Sequence, residues 1–347
     1  MNAPFQPHIL DLAGYVPGEQ PQGGGFVKLN TNENPYPPSP RVIAALGEAI
    51  NERLRLYPDP LATEFCRTAA ALHGVSPDMV MAGNGSDDVL TVLTRAFVGP
   101  GELAAYPSPS YLLYSTLIRL QNGTEHVVPF SAGWKLRAED IVRPGLKLVY
   151  LANPNSPSGT ALSRQEVADL AAAIPCPFIV DEAYADFADD HAIPLVRDFP
   201  NVIVCRTFSK GYSLAGIRLG YLIARPEVVE QLVKVKDSYN CDALSLAAGT
   251  AALKDREYHD QVRDRVIATR TRLTEALRGM GYTVPDSQAN FVWATDGPPA
   301  EPTFARLKER RILVRLMKYP GLQPGLRISI GTDAEIDRLL EVMREPG

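Results

Sequence analysis

Between residues 79 and 224 the chain switches repeatedly between short apolar runs and helical patterns, and few folds accept that rhythm. The strand candidates are "DMVMAG", "ELAAY", "KLVYLAN", "PFIVDEA", "NVIVCRT" and "LGYLIA". Each is too short for a helix and too continuously apolar for a sheet with one wet face. Strands buried on both faces and joined by helices predict a mainly parallel α/β sheet. Between two of these strands, Ser163 is followed three residues later by Glu166, the spacing of a capping box that opens a helix.

The rhythm changes on either side of this block. Residues 1–38 are rich in Pro and Gly and read as an extended arm, which ends where Ser39 and Pro40 open a helix. Beyond residue 250 comes a long helical pattern, "DREYHDQVRDRVIATRTRLTEALRGM". Three strand candidates follow, "NFVWA", "ILVRL" and "LRISI", then a last helix opened by Thr332 and Glu335. The expected organisation is an arm (1–38), a large α/β domain (39–250) and a smaller α+β domain (251–347). A chain of 347 residues is long for one core and suits such a division.

Charge and cysteine usage exclude several functions. The 35 Lys and Arg residues are outnumbered by 40 Asp and Glu, so no basic field for nucleic acid is expected. The four cysteines (Cys66, Cys176, Cys205 and Cys241) form no C-x-x-C pair, which predicts reduced thiols and no zinc site. The start of the chain has no basic segment followed by an apolar one, and no run approaches the ~18 apolar residues of a membrane span. A cytoplasmic location is the expectation.

In open α/β sheets ligands collect at the carboxyl ends of the strands. After "DMVMA" comes "GNGSDD", glycines that turn the chain into a helix whose first N–H groups could hold an anion. No P-loop pattern occurs, and Asp88 stands where a dinucleotide fingerprint needs a small third residue. After "KLVYLA" comes "NPNSPSG"; after "PFIV" come Asp181, Glu182 and Tyr184; after "NVIVC" come Thr207, Ser209 and Lys210, with Arg218 eight residues on. Taken singly these are a turn, a helix cap and a surface loop. Taken in order they offer an anion cradle, an amide, a carboxylate beside a phenol, and an amine flanked by hydroxyls and a guanidinium.

That order resembles the fold-type I pyridoxal-phosphate (PLP) aminotransferases, and among them the histidinol-phosphate aminotransferase group. The likeness runs through "LNTNENPYPPSP" (29–40), "YPD" (57–59), "GNGSDD" (83–88), "YPSPSYLLY" (106–114), "NPNSPSG" (153–159), "VDEAYADF" (180–187), "TFSKGYSLAGIRLGY" (207–221) and "LRISIGT" (326–332). The resemblance implies that Lys210 forms the Schiff base with PLP and shuttles the proton. It implies that Asp181 keeps the pyridinium nitrogen protonated, and that Tyr184 bonds the ring oxygen with Asn155 as second partner. Many relatives have two asparagines where this chain has Asn155-Ser156, which leaves open which of the two faces the ring. Tyr111 would stack on the ring. Gly85, Ser86, Asp87, Thr207, Ser209 and Arg218 would hold the phosphate, helped by Tyr57 of a second subunit in a homodimer with shared sites.

For the substrates, the resemblance places Arg327 at the acidic group and Arg315 near a second arginine site, though Leu316 follows Arg315 where relatives often have proline. Tyr15 and Asn34 lie in the arm that closes over substrate. The implied reaction is amino transfer between L-histidinol phosphate and 2-oxoglutarate. An aminotransferase for aromatic or other amino acids, a PLP decarboxylase of a phosphorylated amino acid, and a binding protein on a decayed scaffold remain as alternatives.

Overall fold

The structure is a computed structural model and describes residues 4–12, 18–21 and 23–345. Its centre is a seven-stranded sheet made of β2 (Val80–Gly83), β3 (Leu103–Ser108), β4 (Thr124–Pro129), β5 (Leu146–Ala152), β6 (Phe178–Asp181), β7 (Val202–Thr207) and β8 (Gly220–Ile223). The spatial order is β2-β8-β7-β6-β5-β3-β4. Neighbours pair in parallel from β4 across to β7, whereas β8 runs antiparallel to both β7 and β2. The expected mainly parallel α/β sheet is therefore present, with one reversed strand.

That reversal matters for the site. Gly83 at the end of β2 and Thr207 at the end of β7 both pair with Gly220 at the start of β8. The residues just before β8, Arg218 included, thus stand at the same sheet edge as the carboxyl ends of the other strands.

Strand β4 was not legible in the sequence. In its segment "TEHVVP" only Val128 is fully buried and the other positions are half-buried or exposed, because it is an outermost strand and pairs only with β3. The central strands β6, β7 and β8, and β2 at the opposite edge from β4, are buried at every position, as their continuous apolar runs predicted. Apolar clusters cover both faces of the sheet. One contains Phe65, Val149, Phe178 and Tyr221, and the other Leu90, Tyr114, Tyr150 and Ile179.

A third cluster is separate. It joins Val27 and Leu29 of the arm to Val266, Leu273, Val292, Ile312, Ile328 and Leu339. Here β9 (Phe291–Ala294), β11 (Arg315–Met317) and β12 (Gly325–Ser329) form an antiparallel sheet in the order β11-β12-β9. The run "ILVRL", expected as one strand, is split. Its first half, β10 (Ile312–Leu313), takes β1 of the arm (Val27–Lys28) as a parallel partner, and its second half is β11. The helix of residues Arg256–Gly279 packs on this sheet, preceded by a separate helix, Ala243–Lys254. Both expected capping boxes form, at Ser163/Glu166 and at Thr332/Glu335, and Ser39 caps the Pro40–Ala49 helix through Arg41 N–H.

No helix among the described residues is long and apolar enough to cross a membrane.

Candidate active site

One cavity lies where the strand ends of the large sheet meet the arm and the β11-β12 hairpin. Its lining includes Ser86, Asp87, Tyr111, Ser156, Asp181, Tyr184, Thr207, Ser209, Lys210, Arg218, Arg315 and Arg327. Twelve residues spread over 241 positions of chain are brought to one place by the sheet edge and by the packing of the third cluster against it.

The anion cradle is built from three directions. The Ser86–Phe97 helix opens at Gly85 without a side-chain cap, so its first N–H groups face the cavity's edge unshielded. Gly85 has φ +82°, and a Cβ there would stand 2.7 Å from Arg218 Nη2, so only glycine lets the guanidinium close over the turn. Arg218 donates to Ser209 Oγ at 3.3 Å and meets Asp87 Oδ2 at 3.4 Å, while the Thr207 hydroxyl donates to Ser209 Oγ at 3.1 Å. Two hydroxyls, a guanidinium and a helix start converge, which is the donor set of a phosphate site.

Asp181 ends β6 and is buried. Burial raises its carboxyl against the pull of the Tyr114 hydroxyl, donating at 2.7 Å, and of Ala183 N–H, and the balance leaves it at about 6. A buried carboxylate so placed suits a cationic ring nitrogen, which would lower it again. Side chains alternate along the strand, so Glu182 points the other way. There its carboxylate meets Arg206 Nε at 2.8 Å, and Arg206 also reaches Asp186 at 3.2 Å. This buried ion cluster ties together the chain immediately after Asp181, Tyr184 and Thr207's strand, and so fixes the rim from behind.

Lys210 projects into the cavity, its Nζ 3.0 Å from the carbonyl of Thr31 and 5.9 Å from the centroid of the Tyr184 ring. Burial of the amine lowers it to about 8, and the nearby Arg327 charge adds to the effect. An amine with that value is neutral for a useful fraction of the time near neutral pH, as a nucleophilic lysine requires. The Tyr184 hydroxyl accepts from Asn32 Nδ2 at 3.0 Å, and its ring packs edge-on against Phe291 at 4.9 Å.

The other end of the cavity is cationic. Arg315 and Arg327 are direct cross-strand partners of β11 and β12, and both line the cavity. Arg327 donates to Ser156 Oγ at 3.2 Å and to the Asn30 carbonyl at 3.1 Å; its buried Nε has no partner among the described residues.

Two sequence expectations meet a different placement. Asn155 does not line the cavity: its amide is spent on Ser110, Pro109 and Ser158, and the neighbouring Ser156 lines it instead. The alternation of a tight proline turn, not the residue type, decides which of the two faces inward. Asn34 donates to the carbonyls of Lys210 (3.0 Å) and Gly211 (3.4 Å), so it holds the lysine's backbone and does not face the cavity. Tyr57, expected to serve a second subunit rather than its own, is 79% exposed, stacked on Tyr239 at 4.4 Å, and outside the cavity of its own chain. Tyr15 lies outside the described residues. Gly85 shapes the cradle without lining the cavity.

Conversely, Tyr114, Ser110, Thr31, Asn32, Glu33 and Tyr319 contribute and were not singled out. The signal for Tyr114 was its spacing three residues after Tyr111 in "YPSPSYLLY", which stands it beneath the cavity at the start of the Leu113–Leu120 helix. Among the described residues, no group of three or more His, Cys, Asp or Glu side chains is placed to hold a metal ion, and all four cysteines are buried and free.

A parallel sheet with one reversed strand, a lysine and a carboxylate on adjacent strand ends, and a glycine-opened helix beside a guanidinium define an aminotransferase-type architecture. The family model for aminotransferase class I and II matches residues 25–343, and the chain belongs to that family. It is 49% identical to a histidinol-phosphate aminotransferase of Rhodopirellula baltica, covering 96% of this chain and 93% of that one. It is 45% identical to one of Microcystis aeruginosa, covering 99% and 98%. Among solved structures, the histidinol-phosphate aminotransferase of Sinorhizobium meliloti in complex with pyridoxal-5'-phosphate superposes with a TM-score of 0.89 at 28% identity, covering 99% and 98%.

Proposed function

We propose that this chain is a PLP-dependent aminotransferase that moves an amino group between L-histidinol phosphate and 2-oxoglutarate. The observation that carries the reading is the pairing of Arg315 with Arg327 across β11 and β12, at a cavity that also holds Lys210. Like charges directly opposite each other destabilise a sheet. Two guanidiniums there, one with a buried unpartnered Nε, are best accounted for by a dianionic or carboxylate ligand that bridges them. A phosphate monoester and a dicarboxylic 2-oxo acid both supply such an anion.

The residues fit PLP. Ser86 N–H, Thr207, Ser209 and Arg218 would hold its phosphate, Asp181 its ring nitrogen, Tyr184 and Ser156 the side of its ring oxygen, and Tyr111 a ring face. When bound, PLP supplies a protonated ring that draws electrons from the amine-bearing carbon. Asp181, its charge set by burial and by Tyr114, keeps that ring nitrogen protonated. Lys210 Nζ would take the proton from the donor's amine-bearing carbon and hold it for return on the far side of the transferred nitrogen. Arg327 and Arg315 hold the substrate anion so that this carbon stays within the lysine's reach, and the arm at Asn30–Glu33 covers the site from water.

The division into an arm (1–38), a large unit (39–250) and a small unit (251–347) follows the same reading, with the substrate end formed where the small unit meets the arm. We also propose a homodimer in the cytoplasm. Tyr57 stands out from its own chain near exposed Ile50, Leu54, Leu56 and Leu61, a surface that a second copy would cover while Tyr57 reaches the copy's phosphate cradle.

The deciding experiment is amino-donor profiling of the PLP-loaded protein with L-histidinol phosphate, histidine and aromatic amino acids. Preferential conversion of histidinol phosphate to its keto product supports the reading. Release of carbon dioxide without a keto acid identifies a decarboxylase, and preference for an aromatic amino acid identifies a different aminotransferase.

A further inference from the structure

Three carboxylates line the cavity, and the chemistry above uses two of them. Asp87 belongs to the phosphate cradle and Asp181 to the ring. Glu33 also lines the cavity, two residues after Thr31 in the arm and near enough to Lys210 for the two charges to interact, and has no role yet. Its carboxylate accepts from the Lys28 ammonium on one oxygen and from the Thr31 hydroxyl on the other. Burial alone would raise it, but Lys28 and Thr31 outweigh burial and hold it below the ordinary carboxylate range. The side chain keeps 38% of its surface open, so a ligand can reach it.

A carboxylate has about four acceptor positions, and these two donors leave room for a further N–H. Lys28 cancels the charge, so the pair suits a neutral N–H donor better than a second cation. Position points the same way. The carbonyl of Thr31 takes Lys210 Nζ and the carbonyl of Asn30 takes Arg327. The amine site and the anion site therefore both abut the same arm segment. A donor with its amine at Lys210 and its phosphate at Arg327 has one substituent left, and Glu33, on the arm segment that abuts both, is a lining carboxylate that neither of those two contacts uses.

We propose that Glu33 reads the ring of the amino donor: its carboxylate accepts the imidazole N–H and so selects imidazole over phenyl side chains. The inference rests on the assignment of histidinol phosphate as donor, and explains how a site otherwise built for any phosphorylated amine distinguishes one ring from another. A hydrogen-bonding site rejects an analogue that lacks the matching group far more strongly than an apolar pocket rejects a change of size, because the analogue strips water from the acceptor without replacing its hydrogen bond.

The test compares L-histidinol phosphate with the phosphate ester of L-phenylalaninol, which has the same skeleton and a phenyl ring. The readout is the ratio of their kcat/KM values, with binding of each ester to the cofactor-free protein measured by calorimetry alongside. The parent should favour the imidazole ester by about 100-fold or more. Glu33→Leu should shrink the ratio to under about tenfold, in kinetics and in binding. Glu33→Gln, which keeps one acceptor oxygen, should fall between them. An unchanged ratio in Glu33→Leu overturns the proposal, as does an equal loss for both esters, which would mean that Glu33 acts through Lys210 or the fold. If Glu33→Leu does not fold, the isosteric Glu33→Gln decides alone: its ratio must drop. If the parent uses neither ester but does use another amine, the donor assignment itself has failed and this inference falls with it. A parent that uses the imidazole ester without preference over the phenyl one overturns the inference and leaves the assignment standing.

Discussion

The two ends of the cavity are made differently. The cofactor end is assembled from residues that ride on strand termini or on the loops directly after them: Asp181 closes β6, Thr207 closes β7, and Lys210 lies three residues beyond. The substrate end is assembled by packing. Arg315 and Arg327 meet because of a hairpin register, and the arm reaches them because β1 pairs with β10, 285 positions away in the register of Val27 with Ile312. A residue that follows an apolar strand can be placed from its neighbours in sequence; a residue held by long-range packing cannot. The cofactor end should thus fail in an all-or-none way when broken, and the substrate end in a graded, ligand-dependent way.

The largest effect is expected at Lys210. Lys210→Ala should bring transamination below detection and remove the visible absorbance of the PLP-loaded protein, while circular dichroism shows an intact fold, since a half-buried side chain is lost and no core residue is touched. An active Lys210→Ala protein with the parent's absorbance would sink the comparison at its root.

Asp181→Asn comes next. The amide has the same shape but cannot stabilise a cationic ring nitrogen, so PLP should still bind while turnover falls about 100-fold to 1,000-fold, the usual loss for one preorganised charge contact at a reacting group. Single-turnover rates near the parent's would show that the carboxylate has no such role.

Arg327→Gln tests the graded end. A desolvated, hydrogen-bonded charge contact that loses one partner costs about 2–5 kcal/mol, and at about 1.4 kcal/mol per tenfold that is roughly 30-fold to several thousand-fold in kcat/KM. Both half-reactions should suffer, from histidinol phosphate and toward 2-oxoglutarate. Unphosphorylated histidinol, with no anion to lose, should suffer much less. Equal damage to histidinol and its phosphate would make Arg327 a structural residue and erase the distinction between the two ends.

The same contrast explains what the sequence reveals. The apolar runs of β2, β3, β5, β6, β7 and β8 are legible because a strand buried on both faces has no polar positions to confuse the pattern. Strand β4 is hidden, since an outer strand needs only part of its surface dry. At the site, Asp181, Lys210 and Arg218 stand out because punctuation after a strand marks them. Glu33 and Tyr319 do not, because each depends on how a loop or the arm is seated against another part of the chain. Asn155 shows the limit most clearly: the right motif is visible, but which of two adjacent side chains faces the cavity is decided by hydrogen bonds to Ser110 and Ser158.

The smallest expected effect sits at the boundary between what is visible and what is not. Tyr114 is fully buried between Asp181 and Tyr150, its ring stacked on the latter at 4.7 Å. Its hydroxyl donates to Asp181 Oδ2 at 2.7 Å. Tyr114→Phe keeps the packing and removes that one bond. Asp181 retains Ala183 N–H, and in the loaded enzyme the ring cation, so the loss should stay near an ordinary hydrogen bond's worth, about 0.5–1.5 kcal/mol. In turnover that is roughly two- to tenfold. The sign of the pH effect follows from the same bond. The Tyr114 hydroxyl stabilises the ionised carboxylate and pulls Asp181 down against burial, the balance of the two standing at about 6. Without the hydroxyl the carboxyl rises further, by roughly half to one pH unit. PLP is held by the ionised form, so the acid side of PLP binding to the cofactor-free protein should move to higher pH in Tyr114→Phe, while binding well above pH 7 stays close to the parent's. Titration of PLP affinity from pH 5 to 8 in the two proteins reads this directly. An acid limb that does not move, or that moves to lower pH, would show that Tyr114 only fills space beneath the ring site.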